Sequence, residues 1–268
     1  MKKGINEEFG IPAEWRKDRE KEFAAIAEAG FDGVELCYDG KFTDAELKEL
    51  VALEKKYKVA VLSLVSMHLW EHQLSSNDAS ERELAKEIVR NMVADAKALG
   101  ADSILVVPGA VTETVSYVQA YNNAFRSLTE LKPYIAENKI NVCVENVWNK
   151  FLITPFEMRD FIDKLDCPYI QSYFDGGNVL VNSWAHYWVE VLGSRIKKVH
   201  IKDFKRSVGN IEGFVDLMEG DMDWPKFMAS LRAAGYDDYV TVEVPYYKAA
   251  PQKFLNDTAT TLDAIFAM

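Results

Sequence analysis

Glu145, Asp175, His200 and Glu243 are the residues of this sequence best placed to do chemistry. Each ends or sits within a short apolar run: ValCysValGlu up to 145, TyrPheAsp up to 175, ValHisIle over 199–201 and ThrValGlu up to 243. An ionised carboxylate that ends a buried strand is costly unless something pairs with it. A divalent cation would pair with three carboxylates at once. Three carboxylates and one imidazole suit Mn²⁺, Mg²⁺, Co²⁺ or Zn²⁺, so the reading expects one divalent metal per chain. Taken singly, a Glu near a strand end is usually a solvated loop residue, and a lone His is usually structural. It is the joint placement of the four that makes them a candidate metal site.

That placement depends on the elements around them. Three segments echo one another: AlaGlyPheAspGlyValGluLeu from Ala29, LeuGlyAlaAspSerIleLeuVal from Leu99 and AlaGlyTyrAspAspTyrValThrVal from Ala234. Each places a Gly where a helix would end in the left-handed conformation, then a short link with Asp, then a β-rich run. Helix starts recur too. Thr43 with Glu46, Ser80 with Glu83 and Thr154 with Glu157 fit the capping box, the last with Pro155 at the first helical position. The periodicities predict helices over 14–29, 43–57, 80–99, 114–138, 154–165, 182–193, 223–234 and 252–267. They predict strands over 3–6, 32–37, 59–65, 103–107, 140–145, 169–174, 196–201 and 239–244. Eight strands alternating with eight helices predict an α/β fold, a (β/α)8 TIM barrel filling 1–268 as a single domain. A doubly wound sheet would open with a Gly-rich phosphate loop after its first strand, and LysLysGlyIleAsnGluGluPheGly is not one. In such a barrel the C-terminal ends of the strands form the active-site rim. Strands five to eight would carry Glu145, Asp175, His200 and Glu243 to it.

Composition narrows the function classes. With 49% hydrophobic and 27% charged residues, the 268-residue chain is of ordinary globular make-up. A formal net charge of -11 argues against nucleic acid as a partner. The three cysteines are odd in number and far apart, and read as buried hydrophobes of a reducing compartment. The N-terminus has no apolar signal region, and the longest apolar stretch, Val59 to Met67, is broken by Ser63 and Ser66. The expectation is a cytoplasmic protein without a membrane partner.

The motifs GlyPheAspGlyValGluLeu (30–36), ValGluAsnValTrpAsnLysPheLeu (144–152), PheAspGlyGlyAsn (174–178), HisIleLysAspPheLysArg (200–206), GlyAspMetAspTrp (220–224) and ValGluVal (242–244) carry a resemblance. Over nearly its whole length the sequence resembles the xylose-isomerase-like barrels. It comes nearest to the pentulose-5-phosphate 3-epimerases and ketose 3-epimerases. The resemblance implies metal ligation by Glu145, Asp175, His200 and Glu243, with Glu145 and Glu243 as the catalytic acid/base pair. It implies C3 epimerisation of a ketose or ketose phosphate through an enediolate, one glutamate removing the proton and the other returning one to the opposite face. His68, Asn178, Lys202, Asp203 and Arg206 are the substrate-binding residues it implies. A homodimer or homotetramer is expected on the same ground. Asn178 stands where ketose 3-epimerases tend to have a His, and Phe151 where some relatives have a carboxylate.

The remaining candidates are weaker. Phe9, Trp70 and Trp148 could wall a sugar ring, and Glu35 could orient substrate or a neighbour. Asn146 and Asn149 read as residues that fix the loop after strand five, and His72 and His186 as surface residues. An inosose-type dehydratase on the same metal site and a non-catalytic sugar-binding barrel are the alternatives. A related DNA-repair endonuclease would need more than the four histidines present for its multi-metal site.

Overall fold

The computed structural model describes residues 1–268. In chain order the elements are β1 (Lys2–Asn6), α1 (Glu7–Gly10), α2 (Arg19–Ala29), β2 (Gly33–Cys37), α3 (Asp44–Tyr57), β3 (Ala60–Val65), α4 (His68–Glu71), α5 (Ala79–Leu99), β4 (Ser103–Val106) and α6 (Tyr117–Asn138). They continue with β5 (Asn141–Glu145), α7 (Pro155–Leu165), β6 (Ile170–Asp175), α8 (Ala185–Leu192), β7 (Ile196–Ile201), β8 (Asp203–Phe204), β9 (Phe214–Val215), α9 (Trp224–Ala233), β10 (Tyr239–Val242) and α10 (Pro251–Phe266).

Eight of the strands close a parallel barrel in the order β1-β10-β7-β6-β5-β4-β3-β2. The expected α/β barrel is the fold observed. The strands are buried on both faces, as a parallel sheet under helices requires. The main apolar core lies between barrel and helix ring, with Phe23, Val89, Leu128, Phe161, Trp188, Phe227 and Leu262 all buried in it. One end of the barrel, away from the rim, is closed by Lys198. Its ammonium is buried between Asp102 (3.0 Å) and Asp238 (2.6 Å), each from a loop that leads into a strand.

Local signals place most of the boundaries. Gly30 and Gly100 take left-handed φ values of 85° and 83° and end α2 and α5. Capping boxes start α3 at Thr43 and α7 at Thr154. Four starts differ in position or cap from the sequence reading, α6 and α8 by beginning three residues later, at Tyr117 and Ala185. The first turn of α5 is capped by Asp78, whose carboxylate accepts from both the backbone N–H and the hydroxyl of Ser80, so the expected box at Ser80 does not form. Helix α2 begins at Arg19, capped by Asp18, because residues 12–18 form turns. The short α1 and α4 and the β8–β9 hairpin lie in loops that the periodicities leave blank, since two to four residues are too few to show a period.

Candidate metal centre

The register of the barrel brings the four candidate ligands together. Asp175, the last residue of β6, pairs with His200 of β7, and His200 pairs with Thr241 of β10. Glu145 ends β5 opposite Tyr173 of β6. Glu243 lies one residue past β10 and is held there by its N–H to the carbonyl of Ile201, 3.0 Å. One donor atom from each of the four falls within 4.8 Å of the others.

The donors are held from behind. His200 is fully buried, and its Nε2 lies 2.7 Å from Glu35 Oε2 while Nδ1 faces Glu145 Oε1 at 3.1 Å and Glu243 Oε1 at 3.8 Å. Glu35 is itself fixed by Ser63 Oγ (2.6 Å) and Asn6 Nδ2 (2.7 Å). A neutral His200 that donates Nε2–H to Glu35 presents its Nδ1 lone pair to the cluster, the usual way a protein orients a metal-binding imidazole. Glu35, which the sequence reading offers as a residue that orients substrate or a neighbour, orients a neighbour: it sets the orientation of His200.

Electrostatics show how far these groups depend on one another. Burial on its own would depress the His200 pKa, but the charges of Glu35 and Glu145 outweigh it and push it up to about 10. Burial also disfavours the ionised form of Glu35, yet His200, Ser63 and Asn6 hold its carboxyl below its usual range. Glu145 goes the other way. Burial raises it, and the hydrogen bond from His200 offsets this only in part. Lys202 Nζ stands 2.7 Å from Asp175 Oδ2 and contacts Glu243 Oε2. The ammonium is near enough to balance charge but is out of line for a hydrogen bond to Asp175, whose buried Oδ2 has no hydrogen-bond partner. That orphaned oxygen, with two glutamates and an oriented imidazole, fits a divalent cation such as Mn²⁺, Co²⁺, Zn²⁺ or Mg²⁺.

A cavity of about 580 Å³ opens above the cluster, in the size range of small-molecule sites. Glu145 and Glu243 line it together with Asn6, Asn178 and Lys202, whereas Asp175 and His200 are fully buried beneath. Phe9, Trp70 and Trp148 all stand in its wall. Asn146 bridges β5 and β6 through the backbone N–H and carbonyl of Asp175, at 3.0 and 2.8 Å. Asn149 donates to the carbonyl of Gly109 at 2.6 Å and so ties the loops after β4 and β5. Gly177 lets the chain after β6 pass against β7. A Cβ there would lie 2.6 Å from the carbonyl oxygen of Lys202.

The structure separates the five residues expected to bind substrate. Asn178 and Lys202 line the cavity. Three others do not line it. Asp203 is fully buried, and its carboxylate accepts from the N–H groups of Phe204, Met218 and Met222 and from Trp224 Nε1, at 2.8 to 3.1 Å. It organises the segment from β8 to α9 and has no group free for a ligand. Arg206 stacks its guanidinium 4.5 Å over the Trp184 ring and donates to the carbonyl of Ser183, on the outer side of that loop. His68 opens α4 with its ring near the carbonyl of Asp39 (3.3 Å), while its neighbours Met67 and Trp70 face the cavity. His72 is paired with Glu81 at 2.7 Å. Among the lining residues that sequence reading missed, Ile211, Phe214 and Val215 come from the β8–β9 region, where no periodicity signals them.

Comparison with known proteins places this geometry. The family described as the xylose isomerase-like TIM barrel matches residues 23–264. An uncharacterised protein of Methanocaldococcus jannaschii is 25% identical over 253 residues, covering 91% of this chain and 83% of that protein. The crystal structure of a D-tagatose 3-epimerase-like protein superposes with a TM-score of 0.83 at 22% identity, over 100% of this chain and 97% of the other. The IOLI protein, solved with a bound zinc atom, superposes with a TM-score of 0.83 at 16% identity, over 100% and 98% of the two chains. At these identities the solved structures establish likeness of fold.

Proposed function

Because the chain belongs to the xylose isomerase-like TIM barrel family, we propose that it is a metal-dependent sugar isomerase of the epimerase type, acting at C3 of a small ketose. The observation that carries the reading is the division of labour among the four candidate ligands. Asp175 and His200 are shut away from the cavity, whereas Glu145 and Glu243 reach it. Their strands, β5 and β10, stand three places apart around the eight-stranded ring. The two carboxylates therefore approach a bound molecule from different sides.

That arrangement suits proton removal on one face of a carbon and proton return on the other. A divalent metal held by Glu145, Asp175, His200 and Glu243 would polarise the substrate carbonyl and acidify the adjacent C–H. The chain supplies the rest. Burial favours the protonated form of Glu145, which moves it towards the range of a working acid or base at neutral pH. The Lys202 ammonium sits beside Asp175 and Glu243 and offers a fixed positive charge where negative charge develops on the substrate oxygens. Asn178 is fixed by its N–H to Asp175 Oδ1 and its side-chain amide to the carbonyl of Asn146, and it adds a polar contact on the cavity floor. The likeness in fold to the D-tagatose 3-epimerase-like protein and to the zinc-bearing IOLI protein supports both the reaction class and the metal.

The test is a screen of ketoses with Mn²⁺-supplemented protein in D₂O. The proposal expects deuterium to enter C3 and a C3 epimer of unchanged mass, apart from the label, to accumulate. Loss of water from the product would identify a lyase and overturn the epimerase reading.

A further inference from the structure

The cavity has a polar floor and an apolar outer half. The floor carries Glu145, Glu243, Lys202 and Asn178. Of the 21 lining residues 12 are hydrophobic; Val65, Leu105 and Val107 come from the barrel strand ends, whereas Phe9, Trp70, Trp148, Ile211 and Phe214 come from the segments that follow the barrel strands, where a ligand made only of hydroxyl groups would be left unpaired. Trp148 is a fixed part of this wall. Its indole N–H bonds to the carbonyl of Asn178 at 2.8 Å, and its ring packs on Phe214 at 5.1 Å and edge-on to Phe204 at 5.6 Å. The volume, about 580 Å³, lies within the range that encloses a drug-sized molecule, and a single hexose on the floor fills only part of it.

The charges in the outer half point the same way. Lys202 is the one basic residue that lines the cavity, and its ammonium lies on the floor against Asp175 and Glu243, so the outer half holds no cation of its own. Beyond Lys202, the charged side chains that the segments after barrel strands β7 and β10 bring to the cavity, where many barrels hold a phosphate, are the carboxylates Glu212, Asp216 and Glu243. Glu8 also lines the cavity and is paired with Arg16 at 2.9 Å. A phosphate in this half would meet carboxylates and apolar side chains with no free counter-charge.

We propose that the substrate is an uncharged keto-sugar with an apolar substituent remote from its carbonyl, and that sugar phosphates are excluded. The sugar sits on the floor, and the substituent packs against Trp70, Trp148, Ile211 and Phe214. The inference rests on the keto-sugar reading of the floor given above.

Calorimetric titration of the Mn²⁺-loaded full chain with D-fructose, D-fructose 6-phosphate and 6-O-benzyl-D-fructose tests it. The benzyl ether should bind at least about tenfold more tightly than the parent sugar, as burial of an aromatic ring predicts. The phosphate should bind at least about tenfold more weakly than the parent, with its charge unpaired. Ile211→Asp, on a residue 65% exposed at the cavity mouth, should cut the benzyl gain several-fold without threatening the fold. A phosphate that binds as tightly as the parent sugar, a benzyl ether with no gain, a gain unchanged in the variant, or no binding by any of the three would each overturn the proposal. These affinities are read without turnover. A bound benzyl ether that shows no deuterium exchange at C3 would sink the epimerase reading and leave the pocket's preference standing.

Discussion

Glu145 and Glu243 differ from Asp175 and His200 in reaching the cavity, and this difference decides what each substitution should do. Glu145→Gln and Glu243→Gln should each lower C3 exchange by about 10²–10⁴-fold while circular dichroism stays native. Exchange near the wild-type rate in either variant would rule out the two-carboxylate mechanism. Glu35 acts one step further back, through His200 Nε2. Glu35→Gln should weaken Mn²⁺ binding by roughly 10–100-fold in calorimetry; unchanged affinity would show that Glu35 only fills the barrel. The same geometry gives metal binding a pH dependence. Without metal, His200 stays protonated up to about 10, and a ligating imidazole must be neutral. Metal binding therefore releases a proton, and affinity should rise with pH, by up to roughly tenfold per unit below that value. An affinity flat from pH 6 to 8 would place the metal away from His200. Three of the four candidate ligands were legible in the sequence because a carboxylate at the end of an apolar run is an energetic anomaly, and His200 because it stands at the matching place in the next strand. Asp203, Arg206 and His68 were not assignable that way. Their partners lie at Trp224, Trp184 and Asp39, in loops whose approach no periodicity encodes.

At the scale of elements, α1 and α2 are joined by a buried charge network. Glu7 of α1 is fully buried, contacts Arg19, and accepts from the backbone N–H of Cys37 at 2.5 Å. Glu22 of α2 shares Arg19 at 2.7 Å, and its Oε1 is buried without a partner. Burial first, and then the charge of Glu7, push the Glu22 pKa from 4.5 to about 8, against the pull of Arg19. The folded protein thus holds a proton on Glu22 that the unfolded chain gives up above 4.5. Between about 4.5 and 8, stability should fall as pH rises, by at most about 1.4 kcal/mol per pH unit from this group. Glu22→Gln should remove that slope in urea unfolding measured across the range; parallel profiles for the two proteins would contradict it. The barrel strands and the main helices were readable because apolar runs, capping boxes and left-handed glycines agreed on where each began and ended. The β8–β9 hairpin, which shapes the cavity mouth, was not, because its pairing depends on Asp203 gathering distant N–H groups rather than on any local pattern.

For the whole molecule, the barrel is what turns four separated residues into one site. Between Glu145 and Glu243 the chain adds three strand ends and nearly a hundred residues, and only ring closure returns them to a common rim. No helix is long and apolar enough to cross a membrane. We propose that all 268 residues fold as one unit, so that a metal at the rim stabilises the whole chain. At a free metal concentration of 100 times Kd the gain is about 2.7 kcal/mol, and unfolding should remain a single transition with a raised midpoint. Two transitions, only one of them shifted by metal, would contradict this. The measurement that tests the central claim most directly is metal content by mass spectrometry on the purified protein beside Asp175→Ala and His200→Ala. The account predicts close to one divalent metal per chain in the wild type and loss of it in both variants. Metal retained at full occupancy in both variants, or a wild-type chain that takes up no Mn²⁺, Co²⁺ or Zn²⁺, would contradict it.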